Sequence, residues 1–239
     1  MKTDLLDIRN CDCMDLMKEF PDNHFDLAIC DPPYFSGPER RKFYGSSTGK
    51  SKHSITGVNQ VVNRVEYPVT DKWEVPGSGY FEELRRVSKN QIIWGVNYFI
   101  NNQYAAGRIV WDKVNGESSF SDCELALCTF HDSVRKFEFM WNGMMQGESV
   151  HSGSKQQGNK KLNEKKIHPT QKPVKLYEWL LESYANEGDK ILDTHLGSGS
   201  IAIACHYKGF NLTACDLSEV HFKNACERIE NETRQLTLF

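Results

Sequence analysis

Four consecutive residues, Asp31, Pro32, Pro33 and Tyr34, carry groups suited to holding a planar base that bears an amino group. The Asp31 carboxylate accepts an N–H, and the Tyr34 ring offers a planar face for stacking. The two prolines fix φ and lack an N–H, so the turn is rigid and its carbonyl groups project freely. A carboxylate and a carbonyl together satisfy both hydrogens of an exocyclic NH₂. The four residues therefore predict a pocket for an adenine or cytosine taken out of its helix.

A second segment near the C-terminus has the pattern of a nucleoside site. A predicted strand ends at Asp193, a glycine-rich turn over 197–200 opens a helix, and a second predicted strand ends at Asp216. Glycine lets the backbone approach a ligand, a helix N-terminus offers free N–H groups, and the later acid binds ribose hydroxyls. The spacing of Gly197 and Asp216 is close to the ~20 residues expected of such a unit.

The position and charge of this segment decide between two ligands. Gly197, Gly199 and Ala202 satisfy the dinucleotide pattern, but a dinucleotide fold normally begins with this unit, whereas here it comes last. Asp193 suits a ligand's ammonium group and would repel a pyrophosphate. S-adenosylmethionine has both a ribose and an ammonium group. The residues therefore favour S-adenosylmethionine, and a nicotinamide-dependent oxidoreductase is the alternative.

The apolar pattern predicts the elements that position these residues. Strands are predicted over 5–8, 25–30, 91–96, 107–112, 190–194 and 211–217. Helices are predicted over 13–20, 77–89, 172–188, 200–209 and 219–236, with Pro173 in a first turn and Gly188 at a C′ position. Segments 124–130 and 134–141 have the spacing of a hairpin.

This alternation predicts an α/β fold: a Rossmann-like, mostly parallel sheet with helices on both faces and a C-terminal antiparallel hairpin. In such sheets the ligand crevice lies beyond the carboxyl ends of the strands. Residues 31–34 are therefore expected at the same edge as Asp193 and Asp216.

The length and composition indicate a single domain that comprises residues 1–239. The sequence also argues against zinc-binding, disulfide-rich and membrane-spanning proteins. The eight cysteines include no CxxC pair, which argues against zinc and disulfide scaffolds and favours a reducing cytoplasm. No stretch has membrane-spanning length. The net charge of −3 gives no global basic field, so nucleic-acid contacts must come from local patches.

Two long segments, 35–72 and 143–168, interrupt the pattern and are net basic. Long loops inside a domain are usually functional or disordered. We expect both to contact a DNA backbone, and solvated loops with incidental charge are the alternative. The residues expected to contact DNA are Arg40, Arg41, Lys42, Lys50, Lys52, Lys160 and Lys161.

Taken together, these motifs resemble those of the amino-directed DNA methyltransferases, which methylate adenine N6 or cytosine N4. Residues 31–34 match the (D/N/S)PP(Y/F) signature, and "DTHLGSGS" (193–200) is similar to the DPFxGSGT-like cofactor loop. "HPTQKP" (168–173), "IIWGVNYF" (92–99) and "IVWDK" (109–113) also resemble family segments. The motif order is that of the permuted group, and the chain looks like its small phage-type members.

The resemblance implies a circularly permuted S-adenosylmethionine-dependent methyltransferase fold acting on double-stranded DNA, as a monomer or homodimer with no metal and no membrane. It also implies a location in the cytoplasm of a bacterium or a phage-infected host. A DPPY sequence leans towards adenine N6 and SPPY towards cytosine N4. The alternatives are a cytosine-N4 methyltransferase and a DNA-binding homologue that has lost transfer. The short stretch before "HPTQKP" predicts a short recognition sequence or loose specificity.

The resemblance also assigns roles. Asp31 and the Pro32 carbonyl would accept hydrogen bonds from the amino group during direct transfer. The cofactor contacts would be Asp12, Thr170, Lys172, Asp193, Gly197, Ser198, Gly199 and Asp216. Asp12 has a helix N-cap as its alternative, and Lys172 a solvated lysine at a helix start. Thr194 and His195 depart from the family's Pro-Phe, and a packed loop histidine is one interpretation of His195.

Overall fold

An eight-stranded mixed sheet forms the centre of the protein. The structure is a computed structural model that describes residues 1–34, 74–114, 121–142, 145–147, 160–168 and 170–234. The predicted basic loop 35–72 and most of 143–168 lie outside these residues. No described helix is long and apolar enough to cross a membrane.

The elements follow the predicted alternation of strands and helices. The strands are β1 (Leu6–Asn10), β2 (Phe25–Cys30), β3 (Ser88–Trp94), β4 (Gly107–Asp112), β5 (Cys123–Cys128), β6 (Val134–Glu138), β7 (Trp141–Asn142), β8 (Met145–Gln146), β9 (Lys190–Asp193) and β10 (Asn211–Asp216). The helices are α1 (Cys13–Lys18), α2 (Ser78–Val87), α3 (Val174–Tyr184), α4 (Ser200–Lys208) and α5 (Glu219–Thr233).

The sheet is mostly parallel, as predicted. Its order is β1-β10-β9-β2-β3-β5-β4-β6, and the first five strands all pair in parallel. One apolar cluster buries residues of α3, α4 and α5, and a second buries residues of α1 and α2. Trp94 and Trp111 lie fully within the core and Trp141 is buried beside them, so these rings support the sheet.

The predicted hairpin of 124–130 with 134–141 is wrong. β5 instead pairs antiparallel with both β3 and β4, and β6 pairs in parallel with β4 at the sheet edge. The apolar half of β5 is fully buried, whereas β6 is largely exposed. Burial therefore places β5 between two strands. The segment between β5 and β6 crosses the start of β4, where the Arg108 N–H donates to the Ser133 carbonyl (3.0 Å).

Helix α3 ends earlier than predicted. Its C-cap is Ala185 in an extended conformation, so Gly188 is not the C′ residue. Gly188 has φ +88° and lies in the turn before β9, where the Asn186 N–H donates to the Asp189 side chain (2.8 Å). The local Asn–Asp hydrogen bond competes with the last helical turn. Pro173 is the N-cap rather than a first-turn residue.

Gly95, directly after β3, makes room for Tyr34. Its φ is +75°, and a Cβ built there would lie 2.2 Å from the Tyr34 Cδ1 atom. The Tyr34 ring therefore packs directly on the Gly95 backbone, and no larger residue fits without moving the ring.

We predict that Gly95→Ala destabilises the protein more than Gly209→Ala. Both glycines have φ +75°, but nothing lies within 4 Å of a Cβ at Gly209. The shared left-handed conformation costs alanine roughly 1–2 kcal/mol, and overpacking against Tyr34 adds roughly 1–3 kcal/mol. Urea unfolding measures both free energies, and equal losses in the two variants would contradict the steric argument.

Candidate active site

The carboxyl ends of β2, β9 and β10 meet at one edge of the sheet. The parallel register pairs Ala214 with Asp193 and Asn10 with Asp216, and Asp31 follows directly after β2. A cavity of about 680 Å³ opens there. The predicted convergence of the two distant motifs is therefore present in the structure.

Most of the predicted site residues line this cavity. The predicted residues on its wall are Asp12, Asp31, Pro33, Thr170, Lys172, Gly197, Ser198 and Asp216. Four other predicted residues are absent from the wall: Pro32, Tyr34, Asp193 and Gly199. Pro32 and Gly199 are buried in the structure. The predicted residues thus divide into a wall and a layer behind it.

The two carboxylate oxygens of Asp31 have different surroundings. Oδ2 forms an ion pair with the Lys172 ammonium. Oδ1 is buried and has no hydrogen-bond partner among the described residues. Burial raises the pKa of Asp31, the Lys172 charge opposes this rise, and the Glu124 charge adds to it. Asp31 therefore lines the cavity and keeps one buried carboxylate oxygen that has no partner among the described residues.

Lys172 is a buried lysine rather than a solvated one, and its ammonium group pairs with two carboxylates. Its side chain is 2% exposed, and its ammonium also lies 3.0 Å from Glu124 Oε2. Glu124 in turn pairs through Oε1 with Lys113 (2.6 Å). Although burial opposes it, the charges of Lys172 and Lys113 lower the pKa of Glu124 to about 2. Four alternating charges therefore form a partly buried network that includes Asp31.

Sequence reasoning missed Glu124, Lys113 and Tyr98 as site residues. Tyr98 stacks on Tyr34 with 4.9 Å between ring centroids and 22° between planes, and its side chain is half exposed. Lys113 and Tyr98 lie in segments that resemble the family, and Glu124 is an acid at the start of an apolar strand. These were the available signals. None of them indicates which partners the side chains contact.

Asp216 organises the glycine turn. Its carboxylate accepts hydrogen bonds from the Gly197 N–H (2.9 Å) and the Ser218 N–H (2.9 Å). Burial raises the pKa of Asp216 to about 6, and these two hydrogen bonds oppose the rise. Gly199 has φ +77°, and a Cβ there would lie 2.9 Å from the Ile229 side chain. The turn is therefore fixed from one side by an acid and from the other by α5.

A buried arginine of α5 ties the glycine turn to the "HPTQKP" segment. The Arg228 guanidinium donates to the Ser198 carbonyl (3.0 Å) and to Ser200 Oγ (2.9 Å). Ser200 Oγ donates to the Lys172 carbonyl (2.7 Å). Glu164 accepts from the Arg228 guanidinium (2.9 Å). These contacts hold the two walls of the cavity together.

Asp193 lies behind the cavity wall rather than on it. It is 2% exposed, and its Oδ1 accepts the His195 N–H (3.0 Å). Burial, with the nearby charges of Asp31 and Asp216, raises the pKa of Asp193 to about 8. Its direct contact with a ligand's ammonium stays a prediction, and the observed role is to hold the turn.

Thr194 and His195, which depart from the family pattern, have polar partners in the structure. Thr194 Oγ1 lies 2.7 Å from the Tyr80 hydroxyl and 2.9 Å from His195 Nδ1. Burial lowers the pKa of His195 to about 4, so the ring is neutral at neutral pH. His195 lines the cavity, and its ring packs edge-on against Tyr80 of α2, with 5.5 Å between the ring centroids.

Asp12 and Thr170 have structural partners as well as places on the cavity wall. Asp12 Oδ1 accepts the Met14 N–H (2.7 Å), so the N-cap interpretation is correct, and Asp12 also lines the cavity. Thr170 Oγ1 lies 3.1 Å from His168 Nδ1. Their contact with a ligand stays a prediction.

The residues predicted to bind DNA fall largely outside the described part of the chain. Those outside it are Arg40, Arg41, Lys42, Lys50 and Lys52. Lys160 begins a short 3₁₀ helix, Lys160–Leu162, in which Lys161 is exposed. Among the described residues, no group of three or more His, Cys, Asp and Glu side chains is arranged to hold a metal.

Comparison with known proteins decides the family. The N6/N4 methyltransferase family model, described as DNA methylase, matches residues 72–227, more than half of the chain. The chain belongs to this family. The type II methyltransferase M1.MboII of Moraxella bovis is 34% identical over 259 residues, covering 91% of this chain and 94% of that protein. The family predicted from the motifs is thereby confirmed.

Solved DNA methyltransferases share the fold. M1.HpyAVI in complex with S-adenosylmethionine is 19% identical, with a TM-score of 0.52 over 94% of this chain and all of that one. The PvuII DNA methyltransferase, described as cytosine-N4-specific, is 12% identical, with a TM-score of 0.54 over 98% and 93%. At these identities the likeness confirms the methyltransferase fold.

We predict that Asp193→Asn flattens the pH dependence of stability. A carboxyl whose pKa is about 8 in the folded protein, against an ordinary value of 3.8, stabilises the fold below pH 4, and this stabilisation is lost as pH rises towards 8. The slope for one such group is at most about 1.4 kcal/mol per pH unit. Asparagine keeps an acceptor for the His195 N–H. Urea unfolding at pH 5, 6 and 7 measures the slopes, and parallel slopes in both proteins would contradict the prediction.

Proposed function

We propose that this DNA methylase transfers a methyl group from S-adenosylmethionine to the N6 amino group of an adenine extruded from double-stranded DNA. The observation that carries the proposal is the unused, buried Oδ1 of Asp31 at a cavity that also contains the glycine turn. An acceptor of this kind suits an amino group, because a buried acceptor left unsatisfied is unfavourable.

The cavity residues fit S-adenosylmethionine. A volume of about 680 Å³ is in the range of small-molecule sites. Gly197 and Ser198 bring backbone close to the ligand, and Asp216 and Asp12 supply acceptors for hydroxyl and amino groups. We assign these residues, with Thr170 and Lys172, to cofactor binding. When bound, S-adenosylmethionine supplies an electrophilic sulfonium methyl group.

Asp31 and its rigid turn would activate the amino nitrogen. The lone pair of an adenine amino group is delocalised into the ring and is a poor nucleophile. Hydrogen bonds from this group to Asp31 Oδ1 and the Pro32 carbonyl would favour a pyramidal nitrogen and stabilise its developing positive charge. Holding the nitrogen in line with the methyl group supplies much of the acceleration.

We assign recognition of the extruded base to Tyr34 and of the DNA backbone to the basic loops. Tyr34 is held against Gly95 and Tyr98, so its ring is fixed in orientation. The basic residues of loops 35–72 and 143–168 would neutralise phosphates, which gives salt-dependent binding.

The Asp at position 31 favours adenine over cytosine, since DPPY sequences in the family lean towards N6 transfer. The decisive experiment incubates the protein with labelled S-adenosylmethionine and duplex DNA, then analyses the digested nucleosides. We expect label in N6-methyladenine. Label in N4-methylcytosine would show that the base assignment is wrong, although the assignment of methyl transfer to DNA would stand. Absence of label in the DNA would overturn the whole proposal.

We expect Asp31→Ala to lower the rate of methyl transfer at least about a hundredfold, the scale of losing one group that stabilises transition-state charge. The cofactor dissociation constant should stay within about twofold, because Glu124 still pairs with the Lys172 ammonium. Asp15→Ala, on exposed α1 surface, is the matched control. A near-normal rate in Asp31→Ala would remove Asp31 from this role.

For Asp216→Ala we expect the main effect on cofactor affinity, whereas Asp31→Ala mainly affects the rate of transfer. The cofactor dissociation constant should rise about tenfold or more, equivalent to ~1.4 kcal/mol, because the Gly197 N–H and the ligand both lose their acceptor. Isothermal titration calorimetry measures this constant for Asp216→Ala and Asp31→Ala side by side. Unchanged affinity in Asp216→Ala would refute its assignment to cofactor binding.

A further inference from the structure

We propose that Glu124 is a positioning residue for methyl transfer, sharing the Lys172 ammonium with Asp31 so that one Asp31 oxygen stays free for the amino group. This inference rests on the proposed function and adds a residue that neither the motifs nor the family resemblance assigns.

The contacts form one chain of opposite charges. Lys172 pairs with Asp31 Oδ2 and, at 3.0 Å, with Glu124 Oε2, and Lys113 pairs with Glu124 Oε1 at 2.6 Å. The four side chains are 20% exposed or less, and that of Lys172 is 2% exposed. The two lysine charges balance the two carboxylate charges, so the network has no net charge in a region that has little contact with solvent.

The lysine chemistry explains why a second acid is needed. An ammonium group has three donors, and a buried ammonium requires acceptors for them. Without Glu124, Asp31 would be the remaining acid contacting Lys172 among the described residues. Asp31 would then be drawn towards the ammonium through both oxygens, which would occupy the acceptor meant for the substrate.

The same carboxylate also reaches the stacking ring. The Tyr34 hydroxyl donates a long hydrogen bond (3.5 Å) to Glu124 Oε2, and the Lys172 ammonium lies 5.9 Å from the centre of the Tyr34 ring. Glu124 therefore contacts both Lys172, which pairs with Asp31, and Tyr34, which is assigned to recognition of the extruded base. A residue with these two contacts can align the two substrate-binding groups with each other.

The charged side chains around Asp31 shift its pKa in opposite directions. Glu124 raises the pKa of Asp31, and Lys172 and Lys113 lower it. Asp193 also interacts electrostatically with Asp31, but burial raises the pKa of Asp193 to about 8, so its carboxyl group is uncharged over the acid part of the pH range. Tyr34 and Tyr177 are neutral phenols whose pKa values are raised by burial. Neutralising Glu124 or Lys113 should therefore move the titration of Asp31 in opposite directions.

The test compares Glu124→Gln and Lys113→Met in single-turnover methyl transfer measured from pH 5 to 9. We expect Glu124→Gln to lower the plateau rate about tenfold or more and to move the acid limb of the profile to lower pH, by about one pH unit. Lys113→Met should move the acid limb to higher pH. Cofactor affinity, measured by calorimetry, should stay within about twofold in both variants.

Glu138→Gln on the exposed strand β6 is the matched control and should behave as the wild type. A wild-type rate and profile in Glu124→Gln would overturn the inference, as would a lower rate with no movement of the acid limb, which is the sign of a merely structural residue. If Glu124→Gln does not fold, the movement or constancy of the Lys113→Met limb decides. Absence of transfer by the wild-type protein would instead overturn the proposed function, and this inference with it.

Discussion

The site depends on one constraint: β2, β9 and β10 run in parallel beside one another, so their carboxyl ends meet at one edge. Each strand is followed or ended by an acid. Three carboxylates, Asp31, Asp193 and Asp216, are thereby brought into a partly buried region, where burial raises all three pKa values. The arrangement concentrates acceptors for a ligand and creates a need for compensating positive charge.

Lys172 supplies part of that compensation from a segment 141 residues away from Asp31 in sequence. Buried ion pairs add little net stability, because desolvation offsets much of their attraction. The network of Asp31, Lys172, Glu124 and Lys113 is better explained by orientation. It joins the end of β2 to β5 and to the segment before α3, and so fixes the catalytic turn relative to the cofactor wall.

The loop that departs from the family pattern shows how a local change is accommodated. Thr194 and His195 replace an apolar Pro-Phe pair, and the Tyr80 hydroxyl on α2 bonds to Thr194 Oγ1. His195 Nδ1 completes this chain of hydrogen bonds. Because the polar groups satisfy one another, the loop keeps its place on the cavity wall without the apolar pair.

Local sequence by itself determined most of the helices and strands, the mostly parallel sheet, the proline-locked turn, the glycine turn and the family. Each of these depends on neighbouring residues: apolar period, fixed φ, or a backbone that needs glycine. Only the tertiary structure decided that β5 lies between β3 and β4, that Glu124 and Lys113 join the site, and that Asp193 lies behind the wall. These features depend on which distant segments pack together and on the partners that a buried charge must find, and a local pattern contains neither.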